Sequence, residues 1–94
     1  MKKRMVVVTT NKDRRGVFFG ELVMHENDIV ILKDAQMAVY WSAETKGVLG
    51  LASAGPQRGS RITLSVPKIE LNGVTSVIDC TEKAIKEWRA EKWS

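Results

Sequence analysis

Residues that build disulfides and metal sites are scarce in this sequence. Its 94 residues include one cysteine, Cys80, and one histidine, His25. A single cysteine cannot form a disulfide within the chain, and zinc sites use several cysteine or histidine ligands at short spacings. The scarcity therefore predicts a cytoplasmic protein with no metal and no other cofactor.

Catalytic motifs are missing as well. His25 stands beside Glu26 at a predicted turn, where we expect a solvated side chain. No serine lies in a Gly-x-Ser-x-Gly motif. Cys80 precedes a predicted helix, a position that favours a thiolate, but a strand and a helix flank it and not a basic cleft, so we expect a buried structural thiol. The sequence predicts no catalytic residues and hence a protein that is not an enzyme.

No hydrophobic stretch is long enough to span a membrane or to form the core of a signal peptide. The apolar run at residues 5–8 ends in threonines and charged residues. The chain is 44% hydrophobic and 28% charged, an ordinary globular composition, and no stretch resembles a linker. We expect one domain over residues 1–94 with no membrane contact.

Short β-branched segments separated by turn residues fill most of the chain. Gly20 interrupts one apolar segment and predicts a bulge or a sharp bend. Residues 48–53 predict a short strand broken by glycine. Residues 61–66 alternate, which places Ile62, Leu64 and Val66 on one face of a further strand. Asn72–Gly73 is typical of a tight hairpin turn.

The last segment, residues 79–94, changes to helix-forming residues. Asp79 or Thr81 can cap its start. We therefore predict a mainly β, α+β fold: a small, strongly bent antiparallel sheet or barrel of six or seven short strands, with one C-terminal helix. Aromatic and apolar residues on this helix predict a surface for homo-oligomer formation. They are Ile85, Trp88 and Trp93.

The loop "SAGPQRGSR", residues 53–61, is the candidate binding site. The formal net charge is +4, which suits an anionic partner. Glycines let backbone N–H groups approach an anion, and arginines bind phosphate through two donors at once. No "GK[ST]" follows, so the loop is not a Walker motif. A glycine–proline turn with solvated arginines explains the same residues, and the sequence leaves both interpretations open.

An aromatic pair, Tyr40–Trp41, lies nearby in the sequence and offers a surface for stacking on a base. Successive strand residues point to opposite faces, so only one of the two is expected to line a given pocket. The predicted ligand-binding residues are Ser53, Gly55, Arg58, Ser60, Arg61, Tyr40 and Trp41.

Three segments resemble a family of small proteins of unknown function encoded by bacteriophages and prophages. They are "DAQMAVYW", "GVLGLASAGPQRGSRI" and "GVTSVIDCTEKAIKEW", and the similarity runs from about Arg15 to Trp88. It implies a phage origin and a site of action in the host cytosol, but no activity.

Residues 16–36, "GVFFGELVMHENDIVILKDAQ", resemble the first signature of Sm-like RNA-binding proteins. The shared pattern is a strand with an internal glycine, a polar turn and an apolar strand that ends in Leu-x-Asp-Ala. No second Sm signature and no N-terminal helix accompany it. The resemblance implies a small bent barrel.

These observations favour a non-enzymatic phage protein that binds a small anionic ligand. One such function is the sequestration of a cyclic-nucleotide immune signal of the host. An Sm-like nucleic-acid-binding module and a structural accessory of the phage particle are the alternatives.

Overall fold

The computed structural model describes residues 3–11, 16–41 and 43–90, and this part of the chain is mainly β, as predicted. Its six strands form one antiparallel sheet, accompanied by two α-helices and a 3₁₀ turn at Ala43–Thr45. No helix within these ranges is long and apolar enough to cross a membrane. The elements are β1 (Met5–Thr10), β2 (Gly16–Glu26), β3 (Ile29–Tyr40), α1 (Gly47–Ser53), β4 (Arg61–Ile62), β5 (Val66–Leu71), β6 (Val74–Asp79) and α2 (Glu82–Arg89).

The strand order is β4-β3-β2-β1-β6, and β5 pairs with residues 30–35 of β3. The turn at Asn72–Gly73 exists, with a φ of 66° at Gly73, but the strands that it joins pair elsewhere. β5 pairs with β3 and β6 pairs with β1, so the predicted hairpin is wrong. A two-residue link between the outer strands requires the sheet to curl, yet within the described residues it is not closed into a barrel.

The predicted irregularity at Gly20 is confirmed. The pairing of β2 with β3 shifts between Phe19 and Glu21, which pair with Gln36 and Lys33. Two steps along β2 therefore match three along β3, and the extra residue lies on β3, where Asp34 has a φ of 52°. A bulge of this kind increases the local twist and bends the two longest strands.

Residues 47–53 form α1, so the predicted strand at 48–53 is wrong. Leu51 and Ala52 are good helix formers, and both are buried beneath the sheet face that carries Phe19. The glycine that suggested a broken strand, Gly50, allows close packing instead. A Cβ on Gly50 would collide with the carbonyl of Thr45, so this position must be glycine for the preceding turn to fit against the helix.

The alternating stretch at 61–66 is a strand only at Arg61–Ile62. Ile62 is buried, but Leu64 is 69% exposed and Val66 is also exposed, so their predicted shared burial is wrong. Thr63 is still bonded to Met37 of β3, whose backbone N–H donates to the Thr63 hydroxyl at 2.9 Å and whose carbonyl accepts from the Thr63 N–H at 3.0 Å.

Helix α2 begins as predicted, with Thr81 as its N-cap. The Thr81 hydroxyl accepts from the N–H of Ala84 at 3.1 Å and donates to the carbonyl of Ser53 at 2.6 Å. Trp88 is fully buried in the core. The prediction that its side chain lies in a subunit interface is therefore wrong. Ile85 packs partly against the same core, and Trp93 lies outside the described residues.

Neighbouring valines of β1 enter two different cores. Val7 packs with Phe19 and Trp88 in a cluster that also holds the buried residues of both helices. Val6 and Val8 pack in a second cluster that is built from strand residues alone. The described members of the second cluster all lie on strands, so curvature of the sheet brings them together. The ends of β3 and β4, at the rim of the first cluster, carry the candidate site.

Candidate functional site

Helix α1 leads into the loop that the sequence singles out, and several of the loop's polar groups are used internally. Ser60 is only 4% exposed, and its hydroxyl lies 3.3 Å from that of Thr45. The Thr45 hydroxyl also accepts from the backbone N–H of Gln57 at 3.0 Å. Ser60 therefore faces the interior and does not present its hydroxyl at the surface, contrary to its predicted contact with phosphate.

Gly55 has a structural reason to be glycine. Its φ is 84°, and a Cβ there would lie 2.5 Å from the Cβ of Glu87 and 2.9 Å from the carbonyl oxygen of Ala84. Its backbone N–H donates to the carbonyl of Gly50 at 3.0 Å. Gly55 thus lets the loop pack against α2. We predicted that its N–H would face an anion, but this N–H is bonded within the loop.

The loop's carbonyls are engaged as well. The side-chain amide of Gln57 donates to the carbonyls of Ala54 and Gly55, at 3.2 and 3.0 Å. Ser53 is exposed at the end of α1, and its carbonyl accepts from the Thr81 hydroxyl. These bonds fix the loop from within and leave the arginine side chains outside.

Arg58 and Arg61 are both exposed. Neither has a carboxylate partner within 4.0 Å among the residues described, where the ion pairs join Lys3 with Glu21 and Arg4 with Asp79. The two guanidinium groups therefore keep their donors available to a ligand.

Tyr40 and Arg61 are direct partners across β3 and β4. Residues opposite each other in an antiparallel pair share a face of the sheet. Tyr40 is 56% exposed, and together with Arg61, Val39 and Gly59 it lines an open hollow of about 400 Å³. We call this the Tyr40–Arg61 hollow. It combines an aromatic ring with a guanidinium group, and these two groups together suit a base joined to a phosphate.

Trp41 does not join this hollow. It packs partly against the first core cluster and lines a different cleft, which touches the Tyr40–Arg61 hollow only through Val39. The two aromatic side chains line different pockets, so only one of them belongs to the hollow, as predicted. Sequence reasoning missed Val39 and Gly59. The sequence clue to Gly59 was its place between two arginines. In the structure its φ is 92°, a value that favours glycine.

The remaining candidates for catalysis are dispersed. No three His, Cys, Asp or Glu side chains of the described residues come together as a metal site. Burial, with a contribution from the charge of Asp79, raises the pKa of Cys80 to about 12. The thiol therefore stays protonated near neutral pH, which agrees with the predicted structural thiol. His25 is exposed near the end of β2.

Comparison with known proteins gives a family but no activity. No curated protein and no solved structure matches the chain significantly. The model of one protein family, described as a domain of unknown function, matches residues 3–88, which is most of the chain. The protein therefore belongs to the DUF6948 family.

Proposed function

We propose that this protein binds a small anionic ligand of the nucleotide type in the Tyr40–Arg61 hollow and does not act on it chemically. The observation that carries the proposal is the register of β3 with β4. It places an exposed tyrosine ring beside an exposed arginine that has no carboxylate partner among the described residues.

The chemistry of the two groups is complementary. A guanidinium binds phosphate oxygens through two parallel N–H donors. An exposed aromatic ring stacks on any of the nucleobases. Arg58, exposed directly before Gly59, adds a second cation to the same loop. The inward bonds of Ser60 and Gln57 hold the loop in place, so a ligand meets a largely prearranged surface.

Sequestration is the form of activity that we propose. In an infected bacterium, a phage protein of this kind would hold a cyclic-nucleotide immune signal and keep it from its receptor. We propose that it does so as a homo-oligomer, since a 94-residue chain encloses little internal volume and a shared interface deepens an open hollow.

Isothermal titration calorimetry with cyclic dinucleotides, cyclic trinucleotides and cyclic ADP-ribose isomers tests the proposal. We expect at least one to bind with a Kd below about 10 μM, equivalent to roughly 7 kcal/mol. The double variant Arg58→Ala/Arg61→Ala should abolish this binding. Its matched control is Lys33→Ala/Lys68→Ala, which removes the same charge from an exposed cross-strand pair on β3 and β5. Equal weakening by both variants, or no binding at all, contradicts the proposal.

A nucleic-acid-binding module is the second candidate. Residues 16–36, which resemble the Sm-like signature, form most of the bent β2–β3 pair, and a stacking ring beside arginines also suits single-stranded RNA. Under this alternative, an oligonucleotide binds more tightly than any cyclic nucleotide, and its affinity falls steeply with salt. The absence of a gel shift at low salt rules it out.

A further inference from the structure

A second cleft adjoins the Tyr40–Arg61 hollow and has a different chemistry. Its volume is about 440 Å³, within the usual range of small-molecule sites. It runs across the sheet from β3 and α1, over β2 and β1, to β6. We call it the Trp41 cleft, after its largest side chain.

One end of the Trp41 cleft is apolar. Val39 of β3 and Trp41, the residue after β3, form it together with Val48 of α1. An indole ring flanked by aliphatic side chains favours a flat ligand, which can stack on the ring while its edges meet the valines.

The other end is polar and comes from the last residues of β1 and from β6. The hydroxyls of Thr9 and Thr75 are hydrogen-bonded to each other at 2.7 Å. The Thr10 hydroxyl and the Asn11 side-chain amide also line the cleft, and neither has a hydrogen-bond partner among the described residues. The amide offers both a donor and an acceptor, as the edge of a heterocyclic base requires.

The indole N–H groups of two tryptophans differ. That of Trp88 donates to the carbonyl of Leu51 at 2.9 Å, whereas that of Trp41 has no acceptor in the described part of the chain. A buried tryptophan such as Trp88 usually finds an acceptor for this donor, whereas Trp41 is only half-buried. The N–H of Trp41 is therefore available to a molecule in the cleft.

No lysine, arginine, aspartate, glutamate or histidine is among the described residues that line the Trp41 cleft. Among these residues, an ionised group would lose hydration without gaining a partner of opposite charge. This described part of the lining thus favours an uncharged ligand, in contrast to the Tyr40–Arg61 hollow with its guanidinium.

We propose that the Trp41 cleft is a binding site for an uncharged, planar heteroaromatic group of nucleobase size. The ring stacks on Trp41, and its polar edge meets Asn11 and Thr10. This assignment does not depend on anion binding by Arg61. If both sites are occupied by one molecule, that molecule carries a neutral ring and a phosphate.

An NMR titration with adenosine, an uncharged nucleoside, tests the site, and ribose serves as the control for the sugar. The indole N–H signal of Trp41 is assigned by its loss in Trp41→Phe. We expect adenosine to shift this signal saturably and ribose to leave it unchanged. Val48→Lys should weaken adenosine binding about tenfold or more, because a cation then lies at the apolar end. The neighbouring Leu49→Lys, at an exposed position outside the lining, should not.

A second substitution guards against a folding defect in Val48→Lys. Thr75→Lys, at an exposed residue on the polar end, should weaken adenosine binding by a similar factor. Arg61→Ala should leave adenosine binding unchanged and weaken only anionic ligands, which separates this proposal from that of the preceding section. The inference is overturned if no common nucleoside shifts the Trp41 signal saturably, or if Leu49→Lys weakens binding as much as Val48→Lys.

Discussion

Phe19 and Trp88 stack with their ring centroids 4.9 Å apart and their planes 6° apart. This contact joins the first half of β2 to the last turn of α2 within the first core cluster. Both side chains are fully buried, and the Trp88 N–H also holds the end of α1 through Leu51. One tryptophan therefore fastens two helices and the sheet.

Replacement of Trp88 should be among the most destabilising changes in the chain. We expect Trp88→Ala to lower the free energy of unfolding by about 3–5 kcal/mol, because it leaves a large cavity. Trp88→Phe, which can keep a stacked ring, should cost less. Urea denaturation measures both. Tyr40→Ala, at an exposed aromatic residue, is the control and should change stability by no more than about 0.5 kcal/mol. A small effect of Trp88→Ala would contradict the assignment of Trp88 to the core.

Gln36 connects three parts of the fold through its side chain. Its amide nitrogen donates to the carbonyls of Thr63 and Trp88, at 3.1 and 3.0 Å, and its oxygen accepts from Arg89 at 2.7 Å. We expect Gln36→Ala to cost about 1–3 kcal/mol for the buried groups left unsatisfied. Arg89→Ala should cost less, because Arg89 is more exposed. A double-mutant cycle in urea should show that the two changes are not additive. Additive effects would exclude coupling through the 2.7 Å bond.

Gly55 and Gly47 offer a matched test of close packing. Both have a positive φ, of 84° and 77°, but only at Gly55 would a Cβ meet other atoms, since nothing lies within 4 Å at Gly47. Gly47→Ala should cost only the backbone strain, about 1–2 kcal/mol. Gly55→Ala should cost clearly more, since Ala84 and Glu87 of α2 must move. Thermal unfolding of the two variants gives the comparison. Equal losses of stability would show that the loop at Gly55 is not closely packed against α2.

The thiol of Cys80 should make stability fall at high pH. Burial and the charge of Asp79 raise its pKa from 9.0 to about 12, so the folded protein holds this proton more tightly than the unfolded chain. Its contribution to stability is complete below pH 9 and is lost as the pH rises toward 12. Urea denaturation between pH 8 and pH 11 should show a smaller decline in Cys80→Ser than in the parent protein. Alkylation of the native thiol by iodoacetamide should also be slow at pH 8 and fast in urea. Rapid native alkylation would refute the raised pKa.

Local patterns were enough to predict several features of the fold. Gly20 marked a real irregularity because a mid-strand glycine is most easily accommodated where a sheet bends. Thr81 marked the start of α2 because a hydroxyl at that position satisfies a free backbone N–H. The mainly β character followed from the β-branched segments. These are effects within a few residues, so the sequence alone contains them.

Other features depend on partners that are distant in the chain. Residues 48–53 form a helix because Leu51 and Ala52 pack into an apolar cluster with residues of β1, β2, β3, β4 and α2, while Gly50 only permits the close approach of the preceding turn. Asn72–Gly73 makes a turn, but the edges available on β1 and β3 determine where the strands pair.

The candidate site shows the same division. Composition identified a basic loop and an aromatic pair. Residue types alone do not show which of these side chains lie next to each other. The register of β3 with β4 decided that Tyr40, and not Trp41, lies beside Arg61. Burial decided that Ser60 and Gly55 serve the loop itself. The sequence by itself determined the types of local structure and the charge of the loop. Only the tertiary structure decided which side chains meet, because that depends on contacts between residues far apart in the chain.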